Sequence, residues 1–123
     1  MAYKITVIHK QNYVHFIVEG ENTTENTIHY LMEIHKESVA NNYKRILIEE
    51  RMEGPLLGTM DIYDVVLKAS QDFFGFFSAV AYVDVQIDNK TINFIENLGV
   101  NRSLPLRAFP TVEKAEKWLT GKK

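Results

Sequence analysis

Residues 44–49 carry an almost unbroken apolar run, Arg45-Ile46-Leu47-Ile48, and this stretch constrains the fold more than any other. A strand that is apolar on successive residues has both faces to bury, the mark of a parallel strand covered on each side. It runs through Glu49 and Glu50 into a Gly/Pro loop, Glu53-Gly54-Pro55-Leu56-Leu57-Gly58-Thr59, which feeds an amphipathic helix starting near Asp61. In an open α/β sheet, ligands and partners dock in the crevice beyond the carboxyl ends of the strands. The junction is therefore the first place to look for function.

The flanking segments complete an alternating pattern. Residues 3–8 and 12–18 alternate with period 2, with Ile5 and Val7, then Tyr13 or Val14, Phe16 and Val18, as the inward sets. The short polar link between them, His9-Lys10-Gln11-Asn12, predicts an antiparallel hairpin. Asn22-Thr23-Thr24-Glu25 reads as a capping box with Asn22 as the cap. The helix it opens is predicted to bury Ile28, Leu31, Met32, His35 and Val39, and to end at Asn41-Asn42. After the loop, Thr59 is a plausible N-cap, and Ile62, Val65, Val66, Ala69 and Phe73 form a second stripe. Residues 78–85 make the next buried strand. Asp88 caps a third helix bearing Ile92, Ile95 and Leu98, with Gly99 as its terminator. Residues 104–109 are a short last strand, and Pro110-Thr111 opens a helix with Val112, Ala115, Trp118 and Leu119 inside. The predicted fold is α/β, a mixed central sheet begun by an antiparallel hairpin and continued by alternating β-α units, in the order β-β-α-β-α-β-α-β-α. The 123 residues form one domain, residues 1–123.

Composition narrows the function classes. A formal net charge of -2, with 14 basic and 16 acidic residues interspersed, gives no basic stripe for nucleic acid. The chain has no cysteine, which rules out disulfides, thiol nucleophiles and thiolate metal sites. No apolar run approaches the ~18 residues of a membrane span, and the start shows no signal-peptide pattern. The expectation is a soluble cytoplasmic domain with no cofactor.

The strand Ile46-Leu47-Ile48-Glu49, the helix Asp61-Ile62-Tyr63-Asp64-Val65, the piece Leu98-Gly99-Val100-Asn101-Arg102 and the ending Glu113-Lys114-Ala115-Glu116-Lys117-Trp118-Leu119, taken in this order of elements, resemble the STAS domain, the anti-sigma-factor-antagonist fold. More specifically, the chain resembles the small stand-alone SpoIIAA-like bacterial proteins of that group. The resemblance covers most of the chain and implies a non-enzymatic protein-interaction or regulatory domain. The family's switch is a serine in an Asp-Ser-Ser-Gly turn at the start of the helix after the central strand, phosphorylated by a partner kinase. That turn falls near Leu57-Gly58-Thr59-Met60, where Leu57 stands in place of the Asp and Gly58 in place of the phosphorylated Ser. The conventional phosphoserine switch is therefore not expected, and Thr59 is the only hydroxyl left as a candidate phosphosite. The resemblance also extends to lipid-exchange domains, which implies the alternative of a small-molecule or lipid carrier with an aromatic-lined pocket.

Individual residues are weighed against simpler roles. The partner-binding candidates are Leu56, Leu57, Gly58, Thr59, Met60 and Asp61, with a protein of unknown identity or a second copy of the chain as partner. The simpler reading of Thr59 is an ordinary helix cap. Glu49 and Glu50, beside Arg51 and Glu53, are candidates for a general base in a third reading, an enzyme. Their simpler reading is a solvated rim paired with Arg51, since charged side chains are usually exposed. His9, His15, His29 and His35 lack metal-ligand spacing, and His35 is read as a partly buried core residue. Phe73, Phe74, Phe76 and Phe77 form either an exposed interface patch or a hydrophobic cap over the sheet edge. Gly54 and Gly58 lack the Lys-Ser/Thr of a P-loop. Arg102 and Arg107 are read either as an anion contact or as members of surface pairs.

Overall fold

The computed structural model describes residues 3–55, 57–70, 73–84 and 86–121, with the side chains of Thr59, Ala69 and Ser70 outside the description. Strand β1 (Tyr3–His9) and β2 (Val14–Glu21) form the antiparallel hairpin. Helix α1 (Thr24–Asn41), β3 (Arg45–Glu53), α2 (Thr59–Ser70), β4 (Ala79–Val83), α3 (Asn89–Asn101), β5 (Leu106–Phe109) and α4 (Val112–Gly121) follow, with a 3-10 turn at Phe74–Phe76. The sheet order is β1-β2-β3-β4-β5, and every pair after the hairpin is parallel. This is the mixed sheet and alternating order predicted from the sequence.

Because each crossover advances by one strand with the same hand, α1, α2 and α3 lie on one face of the sheet. Their core contains Val14, Phe16, Val18, Tyr30, Ile34, Ile46, Ile48 and Ile95. Helix α4 alone covers the other face, where Ala115 and Leu119 pack on Tyr13, Leu47, Ala79, Ala81 and Val83. Successive residues of β3 therefore alternate between two cores: Ile46, Ile48 and Glu50 face α1–α3, and Leu47, Glu49 and Arg51 face the α4 side.

Several local expectations are corrected. The cap of α1 is Thr23, whose side chain accepts from the Asn26 amide at 3.0 Å, and not Asn22. Asn22 instead ties down the loop: its amide donates to Glu53 O and its side chain to Pro55 O, both at 2.8 Å. The buried face of α1 is Asn26, Thr27, Tyr30, Ile34 and Ser38, rotated away from the predicted stripe. Met32 and Val39 are exposed, while Ile28, Leu31 and His35 are half-buried. Tyr30 turns inward because it has a hydrogen-bond partner there, and that fixes the helix's rotation. Val7, expected inside, is partly exposed on the edge strand β1. Gly99 does not end α3. It lies within the helix, where a Cβ would stand 3.2 Å from Leu106 O, so its role is close approach of α3 to the entry of β5. Asn42 ends α1 in the left-handed conformation (φ 58°), and Asp88 caps α3 by accepting from the Thr91 amide, both as expected.

Candidate functional site

Strand β3 does not stop at an acidic tip. It continues to Glu53, with Gly54 at φ 105° making the turn out of the sheet. Glu49 and Glu50 are therefore strand residues, 7% and 5% exposed, so neither is solvated, while the expected pairing with Arg51 holds for Glu49. Pairing with β2 on one side and β4 on the other carries them into the interior, and the alternation of β3 sends them to opposite faces.

On the α4 side, His15 Nε2 meets Glu49 Oε1 at 2.8 Å and Arg51 Nε donates to Glu49 Oε2 at 2.7 Å. Both carboxylate oxygens are held by basic side chains. His15 is far from Glu49 in sequence, but β2 lies beside β3 and brings it close.

On the α1–α3 side, Glu50 meets only neutral or acidic groups. The Tyr30 hydroxyl donates to Oε2 at 2.5 Å and the Tyr82 hydroxyl to Oε1 at 2.7 Å. Asp84, 6% exposed just past β4, is in hydrogen-bond contact with Glu50, and its Oδ1 accepts from the Gln86 amide at 2.9 Å. Burial pushes the Glu50 carboxyl above the usual carboxylate range, and Asp84 adds to the rise against the lowering effect of the two phenols. Burial also raises Asp84, opposed by the Gln86 amide. The same burial, with the Glu50 charge nearby, moves both phenols well above their usual value. Two carboxyl groups in such contact share a proton, because both cannot ionise side by side in an apolar setting.

This quartet borders a cavity of about 90 Å³. Helix α2 rests on α1 and α3 more than on the strands. The space between it and β3–β4 is walled by Ile48, Val80, Ile62, Val66, Phe74 and Ile95, with Leu57 of the loop on the same wall. The interior site thus lies beneath the loop-helix junction, toward the carboxyl ends of β3 and β4.

The expected partner-binding residues are spread differently. Met60, 72% exposed, and Asp61 lie on the outside of the first turn of α2; Gly58 is exposed and its carbonyl accepts from the Ile62 amide at 3.0 Å. Leu57 is half-buried, and Leu56 lies outside the described residues. Thr59 is the first residue of α2 instead of the residue before it, and its side chain lies outside the described residues, so neither the cap nor the phosphosite is placed. Beside α2, a groove of about 310 Å³ is lined by Ile28, Leu31, Met32 and His35 of α1 with Val65 and Lys68 of α2 and Phe73.

The aromatic run lies mainly inside. Phe73, Phe74 and Phe77 are buried, with rings 4.8 Å and 5.0 Å from Phe73, which removes them from the monomer's surface and leaves Phe76 alone of the four near it. Lys44 Nζ sits 3.7 Å over the Phe76 ring and donates to its carbonyl. His35 packs within about 6 Å of three of these rings, a partly buried core residue. Arg102 donates to the Tyr63 hydroxyl and Arg107 pairs with Glu96 at 2.9 Å, so the two arginines serve separate surface contacts. Among the described residues, no three His, Asp or Glu side chains are grouped to hold a metal ion, and no helix is long and apolar enough to cross a membrane.

Tyr30, Tyr82, Asp84 and His15 were not singled out from the sequence as members of this site. A signal for two of them exists: Val80, Tyr82 and Asp84 share parity along β4, as Ile46, Ile48 and Glu50 do along β3. A polar residue in register with core apolar ones is buried with them.

No family model and no curated protein matches the chain. Among solved structures, the chain is similar to an uncharacterized protein of the DUF3478 family with a SpoIIAA-like fold from Shewanella loihica PV-4, at 17% identity and TM-score 0.54, covering 95% of this chain and 93% of that one. It is similar also to an anti-sigma factor antagonist from Mycobacterium paratuberculosis, at 16% identity and TM-score 0.54, covering 97% and 95%. Likeness over nearly the whole of each chain at such identity identifies the fold: the STAS, SpoIIAA-like architecture of a hairpin followed by β-α units.

Proposed function

We propose that the chain is a non-enzymatic STAS-like interaction domain that docks a protein partner through the loop and helix from Gly54 to Ala69. The observation that carries this reading is a set of exposed apolar side chains on the outer side of the α1–α2 layer, interspersed with Glu33, Lys36, Glu37, Asp61, Asp64 and Lys68. Met60 and Met32 are 72% and 64% exposed, Leu67 is exposed on α2, and the α1–α2 groove adds Ile28 and Val65. Exposed apolar surface in one layer marks an interaction site, and methionine adapts to a partner's shape. The opposite helix, α4, shows the world Glu113, Lys114, Glu116 and Lys117 instead. The anti-sigma factor antagonist of the same fold supports a role in protein interaction, and Thr59 remains the candidate phosphosite within the docking segment.

The test is photo-crosslinking in host cells, with a benzophenone amino acid at position 60 in one variant and at position 113 in another. A discrete adduct from position 60 alone, whose identified partner binds the purified domain and loses affinity about tenfold with Leu57→Ala/Met60→Ala, is the expected result. Equal adducts from both positions, or an affinity untouched by the double substitution, would contradict the docking face.

A further inference from the structure

The cavity beneath α2 has a chemistry of its own, and of the docking segment's candidate residues Leu57 lies on its wall. Its walls are mainly aliphatic and aromatic, and its polar lining residues besides Tyr30 and Tyr82 are Asn22, Thr27, Glu50, Asp84 and Thr91. The Glu50 and Asp84 carboxyls are in contact with each other, and Asn22 Oδ1 is fully buried and makes no hydrogen bond among the described residues. The hydroxyls are already engaged, those of Tyr30 and Tyr82 with Glu50, that of Thr27 with Thr23 O and that of Thr91 with Asp88. No Lys, Arg or His lines the cavity among the described residues, in contrast with Glu49 on the other face. The cavity therefore offers acceptors and negative charge at the Glu50–Asp84 pair and chiefly apolar contact elsewhere. Its complement is a molecule with a positively charged donor at one end and a hydrocarbon body.

We propose that this cavity binds a small apolar amine as its ammonium ion, the N–H groups directed at Glu50, Asp84 and Asn22 Oδ1 and the hydrocarbon lying against Val66, Phe74 and Ile95. The two carboxyls keep the proton they share, which leaves the pair a single negative charge, and the ammonium neutralises that charge. Burial of charge is tolerated where an opposite charge and hydrogen bonds satisfy it, and the carboxyl pair with the orphan carbonyl oxygen supplies both. At about 90 Å³ the cavity is smaller than the one of ~150 Å³ that holds benzene, which sets the hydrocarbon at about four carbons. An anionic or neutral headgroup would leave the carboxyls facing a like charge or an incomplete set of donors.

The probe is n-butylamine, followed by amide chemical shifts of the full chain at neutral pH, with n-butanol and butyrate as controls of the same length. Saturable shifts around Val66, Val80 and Tyr82, at least tenfold tighter for butylamine than for either control, are expected. Glu50→Gln should weaken butylamine about tenfold while leaving butanol unchanged, and Asp84→Asn serves the same test if that variant does not fold. Butanol or butyrate binding as tightly as butylamine, butylamine shifts clustered away from the cavity or absent, or affinity unaltered in the folded variant would each overturn the proposal. Met60→Ala should not alter butylamine binding, which separates this site from the docking face.

Discussion

Glu49 and Glu50 are adjacent in sequence, equally buried and carried by one strand, yet they belong to different regions of the molecule. Glu49 faces the α4 side with its carboxylate clasped by His15 and Arg51. Glu50 faces the α1–α3 side with two phenols and a second carboxyl as company, at the border of a cavity. The α4 face is closed by small residues, Ala115 on Ala79 and Ala81, that let helix and sheet come together. The other face is spanned by α2 at a distance, which leaves room inside. One face neutralises its carboxylate and serves stability. The other keeps its carboxyl pair without a basic partner beside a space able to take a ligand.

The largest expected effect that would break this comparison is at Glu50. Glu50→Ala leaves two buried hydroxyls without their acceptor and should cost about 3 kcal/mol in urea unfolding. A loss below about 1 kcal/mol would mean that the phenols find other partners. Glu49→Ala leaves a buried His15 without its carboxylate. Because Arg51 reaches solvent, the cost there should be about 2 kcal/mol, smaller than at Glu50. Equal losses at the two positions would erase the contrast.

The pH dependence sharpens it. Glu50 and Asp84 bind protons more tightly in the folded chain than at their ordinary values of 4.5 and 3.8. The folded state therefore holds more protons than the unfolded one as the pH rises, and stability falls with pH. The contribution is complete below those ordinary values and is lost as pH rises through the elevated folded values. Glu50→Gln should flatten this decline, measured as the unfolding midpoint across pH, and a decline unchanged in that variant would contradict it. The smallest effect is Arg51→Ala, about 0.5 kcal/mol, because its side chain is 54% exposed and such pairs are weakened by solvent. A cost near that of Glu49→Ala would move the weight of the α4-side pair from His15 to Arg51.

The sequence made the α4 face readable and the other face only in outline. Val112, Ala115, Trp118 and Leu119 recur at helical spacing and pack as that spacing predicts. The α1 face was misread because hydropathy favours Ile28, Met32 and Val39 over Tyr30 and Ser38. Tyr30 is drawn inside by Glu50, a partner twenty residues away. Charged residues are most often exposed, so Glu49 and Glu50 read as a rim. Their burial follows from the extension of β3 to Glu53 and from partners on β2, α1 and β4 that no local pattern reveals. The loop was legible as a junction, through its glycines and proline, but the space beneath α2 depends on how three helices share one face.

The most direct test of this asymmetry is a carbon-detected NMR titration of the Glu50 side-chain carboxyl in the wild-type chain. The account predicts a midpoint above 4.5, lowered when Asp84→Asn removes the neighbouring carboxyl. A midpoint at or below 4.5 would place a cation or water beside Glu50, and the face under α2 would then be no different in kind from the face under α4.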